Sequence, residues 1–460
     1  MTHTLFAADA LLPAGWAKNV LLSWNDAGRF TQLQSATPRP AGVKLAAGPV
    51  IPGMPNLHSH AFQRAFAGLT EHRAEQHDSF WSWRALMYRF AARLAPQHME
   101  AIAAWLYAEM LEAGYTSVCE FHYLHHDADG RPYADDAALS LALLHAARKT
   151  GIGFTLLPVL YQTSGFGEQP PHAGQRRFIR STESMLRLLE MLKPACDAQG
   201  ARLGLAPHSL RAVPPGALRD AVNGLEAIDR TAPIHIHIAE QTQEVEDCIA
   251  WSGQRPVEWL LDHAPVDARW CLVHATHMSD PEYQHAAQSG AVAGLCPTTE
   301  ANLGDGIFDF SKWRSHGGAW GLGSDSHASV NAAEELLLLE YSQRLAKRQR
   351  NVGASAAQPH VATALTLQAV QGGAQATGRN VGGLAVGRQA DFVVLDAAHV
   401  ALQGLPAPDM LSAHVFASHR TSAIDGVWVA GRERVAAGRH ALHDEAASAF
   451  VAARSQLLQD

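Results

Sequence analysis

Residues 50–60 read Val50-Ile51-Pro52-Gly53-Met54-Pro55-Asn56-Leu57-His58-Ser59-His60. An apolar, strand-prone run, Val50–Leu57, ends abruptly in two histidines at i, i+2. Residues two apart on an extended chain face the same side, so both imidazoles point one way. Spacing alone proves little. Scattering 26 histidines over 460 residues gives about 1.5 such pairs by chance. The second pair, His235 and His237, is informative because it closes another apolar run, Ile234–Ile238.

Working outward, eight such runs are expected: Val50–Leu57, Thr116–Glu120, Ile152–Val159, Arg202–Ala206, Ile234–Ile238, Trp270–Val273, Ala291–Leu295 and Ala319–Gly323. Helical stretches separate them, among them Met99–Ala113, Thr182–Ala198, Pro214–Gly224 and Pro281–Ser289. Short apolar strands alternating with helices describe a parallel sheet covered on both faces. Eight units predict a closed (β/α)8 TIM-type barrel, with a doubly wound open sheet as the alternative. Before and after the barrel the style changes to hairpins. Val20–Trp24 and Phe30–Leu33 flank the turn Asn25–Gly28, Ala390–Leu395 reads as a strand, and Gly426–Val435 turns at Ala430-Gly431. The expected division is residues 1–50 and 381–460 as two parts of one small β-sandwich, the latter ending in a helix, around a barrel at 51–380.

Composition sets bounds. Net charge is −8, with 36 Lys+Arg against 44 Asp+Glu, so no broad basic surface serves nucleic acid or anionic membrane. No apolar run reaches the ~18–20 residues of a spanning helix. The opening MTHTLFAADALLPAGW has neither a basic start nor a compact apolar segment, so no signal peptide is expected. Five cysteines without a C-x-x-C pair fit reduced thiols in a cytoplasmic enzyme.

In a barrel the C-terminal strand ends converge on one mouth. There His58, His60, His237 and Asp325 (in Gly323-Ser324-Asp325) supply three imidazoles and a carboxylate, a donor set for Zn²⁺, with Fe²⁺ as the alternative. Alternation does not separate His235 from His237. Glu240, three residues beyond His237, favours the latter, being placed to handle protons on an activated water. His274 closes the sixth strand in CLVHATH, with His277 as its rival.

PGMPNLHSH, HIHIAE, the strand-end His274 and GSDS together resemble the amidohydrolase superfamily, in its mononuclear aminohydrolase branch, over roughly residues 1–440. Two-metal members carry a carbamylated lysine at the fourth strand end. None of the lysines here closes a strand and His208 stands there instead, which implies one metal. Within the superfamily, the segments His60–Gly68, Phe80–Arg84, Glu120–His126, APHSLRAVP and CPTTEANLGDGIFDF resemble the formimidoylglutamate deiminases. That resemblance implies hydrolysis of N-formimino-L-glutamate to N-formyl-L-glutamate and ammonia in histidine degradation. It also implies Gln63, Arg84, Tyr123, His208 and Arg211 as substrate-holding residues, and a homodimer. Guanidinium forks suit a small dicarboxylate. The expected catalytic trio is Asp325 as ligand and base, His274 orienting the attacking oxygen, and Glu240 as proton donor. The alternatives are a deaminase of a purine, pterin or related ring, and a barrel without catalysis that serves as a scaffold.

Overall fold

The computed structural model describes residues 1–71, 80–418 and 422–459, and of residues 80–85 the backbone only. Its central sheet is parallel throughout. The strands are Met54–Ser59, Tyr115–His122, Gly153–Leu160, the pair Arg202–Leu203 and Ala206–Pro207, Ile234–Ile238, Trp270–His274, Val292–Leu295 and Ala319–Leu322. Ala319–Leu322 pairs back on Met54–Ser59 through Leu322 and Asn56. On the other side Leu205 bridges to Ile234, so the sheet closes into a (β/α)8 barrel. Most strand residues are buried on both faces. That double burial is why these runs read as continuous apolar stretches without alternation. Leu57 fills the barrel axis beneath the first histidine. A Cβ at Gly321 would come 2.6 Å from its Cδ2, so the eighth strand needs a bare backbone there.

Both chain ends form one eight-stranded sheet. Its order is Arg439–His440, Arg432–Ala436, Ile424–Val429, Phe392–Leu395, Val50–Pro52, Thr2–Leu12, Gly15–Asn25, Phe30–Gln34. The sheet bends back on itself, with Arg29 bridging to Gln389. Trp24 and Trp428 both pack on Phe392, ring centroids 5.6 and 4.9 Å apart. The closing helix His443–Leu458 lies on helix Pro96–Glu112, where Phe450 meets Trp105 at 6.2 Å.

Three strand readings change. The expected Val50–Leu57 is two strands. Val50–Pro52 belongs to the end sheet, pairing antiparallel with Phe392–Val394, and Met54–Ser59 belongs to the barrel. The crossing is at Gly53, where a Cβ would stand 2.2 Å from Thr116 Cγ2. The fourth strand is likewise split, into Arg202–Leu203 and Ala206–Pro207, around Gly204. Thr2–Leu12 is an additional central strand. It buries Leu5, Phe6 and Ala7 in succession, so its sequence carries no period of two.

Candidate active site

Four side chains meet at the C-terminal mouth of the barrel. His58 and His60 leave the first strand, His237 the fifth and Asp325 the eighth, all buried. Nε2 of His58 lies 3.1 Å from Nε2 of His60 and 2.9 Å from Nε2 of His237. Asp325 Oδ1 is 3.3 Å from His58 Nε2 and 3.2 Å from His60 Nε2. Four ligand atoms in a tetrahedron at 2.0–2.1 Å from a metal would be about 3.3 Å apart, so the cluster has the dimensions of a metal site. The tautomers fit as well. His60 Nδ1 donates to the Phe121 carbonyl at 2.9 Å and His237 Nδ1 to the His208 carbonyl at 3.2 Å. Each proton is thereby held outward, and a lone pair on Nε2 faces the centre.

The local backbone is unusual at these ends. Ala239, His274 and Asp325 have φ of 51, 67 and 46°, the left-handed region. Three strands thus turn sharply out of the sheet where they deliver their side chains, a cost accepted at functional sites. Backbone bonds also tie the first and eighth ends together: His60 N–H donates to Asp325 O, and Asp325 N–H to His58 O, at 3.2 and 3.0 Å.

Beside the cluster, His274 Nε2 is 3.7 Å from both Glu240 Oε1 and Asp325 Oδ2, and its Nδ1 is 3.3 Å from Glu300 Oε1. Burial works against a charge on His274, but Glu240, Glu300 and Asp325 outweigh it and push the imidazole up to about 10. Glu240 is displaced upward, chiefly by burial, with His274 opposing and Asp325 reinforcing. Asp325 is held well below the usual carboxylate range: burial opposes its charge, but the adjoining imidazoles of His58 and His60, with His274, prevail. The proton affinity of one carboxylate is thus lowered and that of its neighbour raised, a separation suited to acid–base work.

These groups open into a cleft of about 640 Å³ lined also by Gln63, Tyr123, Tyr161, His208, Arg211 and Phe178, an ordinary size for a small-molecule site. Gln63 Nε2 donates to the Tyr123 hydroxyl oxygen at 2.8 Å, which leaves the phenol proton free to point elsewhere. Gln63 Oε1 is buried and unpartnered, as is Arg211 Nε. His208 stands 5.0 Å from the His237 ring and 4.6 Å from Tyr161. Of the expected site residues, all but Arg84 have side chains that can be placed, and these gather at one mouth. Arg84 sits on helix Phe80–Arg93, but its side chain lies outside the described residues. His277 does not line the cleft and turns to the Asp305 carbonyl at 2.7 Å. His235 is in the barrel core, bonded to the Ala376 carbonyl at 2.8 Å.

Sequence reasoning missed the supports. Glu300 and Asp305 fall in the CPTTEANLGDG stretch, whose pattern signals a role for neither. Asp305 is pushed up to about 9 by burial and then by Glu240. Beneath the ligands, Glu120 accepts from Ala61 N–H, Ser59 Oγ and Tyr107 OH at 2.6, 2.7 and 3.0 Å. Ser59 Oγ continues to His327 Nε2 at 3.2 Å, and His327 Nδ1 to Ser324 Oγ at 3.1 Å. This network joins the segment carrying His58 and His60 to the one carrying Asp325. A single Glu within an apolar strand gives no periodic signal, which is why it went unread.

The formimidoylglutamate deiminase of Pseudomonas aeruginosa is 51% identical to this chain over 454 residues, covering 99% of each. The crystal structure of an amidohydrolase from Brucella melitensis superposes with a TM-score of 0.94 at 48% identity, covering 99% of this chain and 100% of that one. An adenosine deaminase from Xanthomonas campestris with bound zinc shares the fold at 20% identity, TM-score 0.77, over 99% of this chain and 97% of its own. The Amidohydrolase family profile matches residues 50–434. That span holds all eight barrel strands and the four converging ligands, and the chain belongs to the amidohydrolase family.

Proposed function

We propose that this enzyme hydrolyses N-formimino-L-glutamate to N-formyl-L-glutamate and ammonia, using one zinc ion held by His58, His60, His237 and Asp325. The observation that carries the substrate reading is Arg211. It is a half-buried cation, its Nε shielded and unpartnered, with no ion pair or side-chain hydrogen bond among the described residues, and it opens into the same cleft as the ligand cluster. A flat neutral ring gives such a cation no counter-charge, whereas a dicarboxylate gives it a bidentate anionic partner. The half-identical Pseudomonas aeruginosa enzyme supports the same choice over a purine or pterin.

The zinc, when bound, supplies Lewis acidity that brings a water's pKa towards ~7. Asp325, ionised, accepts the proton that water gives up. His274, whose proton Glu300 and Asp325 favour, donates towards the attacking oxygen and orients it on the formimino carbon. Glu240, whose hold on a proton burial strengthens, gives that proton to the imino nitrogen. The proton taken up by Asp325 then passes to the resulting amine, which leaves as ammonia while the hydroxyl proton returns to Glu240. Arg211, with Arg84 from the neighbouring helix, holds the carboxylates. The free Tyr123 hydroxyl proton, the unpartnered Gln63 carbonyl and His208 fix the chain between them. The homodimer and the cytoplasmic setting belong to this reading too. All five cysteines are buried free thiols, and among the described residues no helix is long and apolar enough to cross a membrane.

The test is ammonia release by the zinc-loaded chain from formiminoglutamate, guanine and cytosine side by side, with metal content measured on the same sample. The reading expects about one zinc per chain and release from formiminoglutamate alone. Release from a ring only, or a metal-free active protein, contradicts it.

A further inference from the structure

A second cavity lies at the opposite end of the barrel from the catalytic mouth, between the N-terminal ends of the third and fourth strands and the end sheet. It has a volume of about 1440 Å³ up to its open rim, and five arginines line it: Arg29, Arg148, Arg379, Arg432 and Arg434. No aspartate or glutamate lines it, although the chain as a whole is acidic at −8. None of the five arginines forms an ion pair among the described residues. Arg379 is committed to structure: its Nη1 donates to the carbonyls of Phe154 and Gly200 at 2.9 and 3.0 Å. Arg29 Nη1 reaches only the Gly387 carbonyl, at 3.3 Å. Arg148, Arg432 and Arg434 make no side-chain hydrogen bond among the described residues, and Arg434 Nε is buried without a partner.

The arginines converge on one short segment. The Arg434 guanidinium lies directly on Gly151, its Cζ 2.3 Å from where a Cβ would stand, and Arg379 Nη2 is 3.2 Å from the same position at Gly153. A side chain at Gly151 would displace Arg434, so the bare backbone keeps the cations together. Local features do not neutralise them. Helices Ala138–Thr150 and Thr182–Gln199 end here, each contributing about half a negative charge. Asp391 acts on Arg379 and contributes at most one more. Roughly three positive charges stay uncompensated after that subtraction. Arg432 further opposes the charge on Arg434, whose guanidinium burial already disfavours.

We infer that this cavity is a binding site for a small multivalent oxyanion, of the phosphate or polycarboxylate class, which bridges barrel and end sheet through Arg148, Arg432 and Arg434. Guanidinium forks bind such oxyanions bidentately, and three of them presented without carboxylate partners are a preformed receptor. The bound anion would add contacts between the two sheets and stabilise the fold.

The experiment titrates the zinc-loaded full-length enzyme with phosphate, pyrophosphate and citrate at constant ionic strength. Heat of binding and thermal midpoint are both read. Pyrophosphate is expected to bind with a dissociation constant of about 1 mM or tighter and to raise the midpoint. Binding should weaken at least about tenfold in the Arg432→Gln/Arg434→Gln variant, and measurably in Arg148→Gln, whose exposed side chain removes no packing. Arg211→Gln should leave it intact, which separates this site from the catalytic cleft. Pyrophosphate without citrate assigns the phosphate class, and equal binding of both assigns multivalent oxyanions generally. No binding of any of the three at about 10 mM overturns the inference. So does binding that survives both sets of arginine changes, or binding lost with Arg211.

Discussion

Glu240 and Asp325 are two buried carboxylates close to one imidazole, His274, and they differ in what else surrounds them. Asp325 has the imidazoles of His58 and His60 against one of its oxygens. Glu240 has burial and a neighbouring negative charge instead. In the proposed mechanism the first therefore serves as ligand and base, and the second as the acid. Glu240→Gln should lower kcat by about 10²–10⁴-fold with zinc content and KM little changed. The wild type should lose activity as pH rises through the raised Glu240 pKa, and the residual activity of the variant should lack that basic limb. A retained limb, or a kcat within a few-fold of wild type, would move the acid role elsewhere. Arg211→Ala should lower kcat/KM by about 10- to 150-fold, the worth of a charged hydrogen-bonding group, while zinc stays near one equivalent. Unchanged turnover of formiminoglutamate would remove the carboxylate role.

The first barrel strand, Met54–Ser59, delivers two of the four ligands, His58 and, just past its end, His60, and it depends on the crossing at Gly53. A methyl group there meets Thr116 Cγ2 and Oγ1 at 2.2 and 2.4 Å, both on a β-branched side chain at the start of the next strand. Gly53→Ala should destabilise by about 1–3 kcal/mol, read by urea denaturation, and should lower kcat because His58 and His60 ride on the displaced strand. A variant as stable and active as wild type would show that the crossing has slack. This element also shows where sequence reading stops. Strand ends were legible because apolar runs finish in His58, His60, His237, His274 and Asp325, and burial on both faces makes such runs conspicuous. The split at Gly53 was not: Pro52-Gly53 marks a break within Val50–Leu57, but only pairing partners show that the two halves belong to different sheets. Glu120, Glu300 and His327 were equally hidden. Each acts through hydrogen bonds to residues distant in the chain, and no local pattern encodes that.

For the molecule as a whole, the barrel supplies the mouth and the end sheet braces its other end. At that junction Asp391 is buried, accepts from Ala430 N–H at 2.7 Å, and is pushed up to about 6, first by burial. A carboxyl whose folded pKa lies above its unfolded value favours the folded state while protonated. That contribution is lost as pH rises from about 4 through about 6. Asp391→Asn keeps an acceptor for Ala430 and carries no charge. Its stability relative to wild type should therefore grow by about 1–3 kcal/mol between pH 5 and pH 8, measured by urea unfolding of the zinc-loaded proteins. A difference independent of pH would mean that Asp391 is ionised at no cost. At the catalytic end, the central claim is that water attacks the formimino carbon and Glu240 directs the proton to the imino nitrogen. Mass spectrometry of the products formed in ¹⁸O-water tests this most directly. The account predicts N-formyl-L-glutamate carrying one ¹⁸O in its formyl group, with ammonia in equal amount. Unlabelled formylglutamate, or glutamate with formamide in its place, would contradict it.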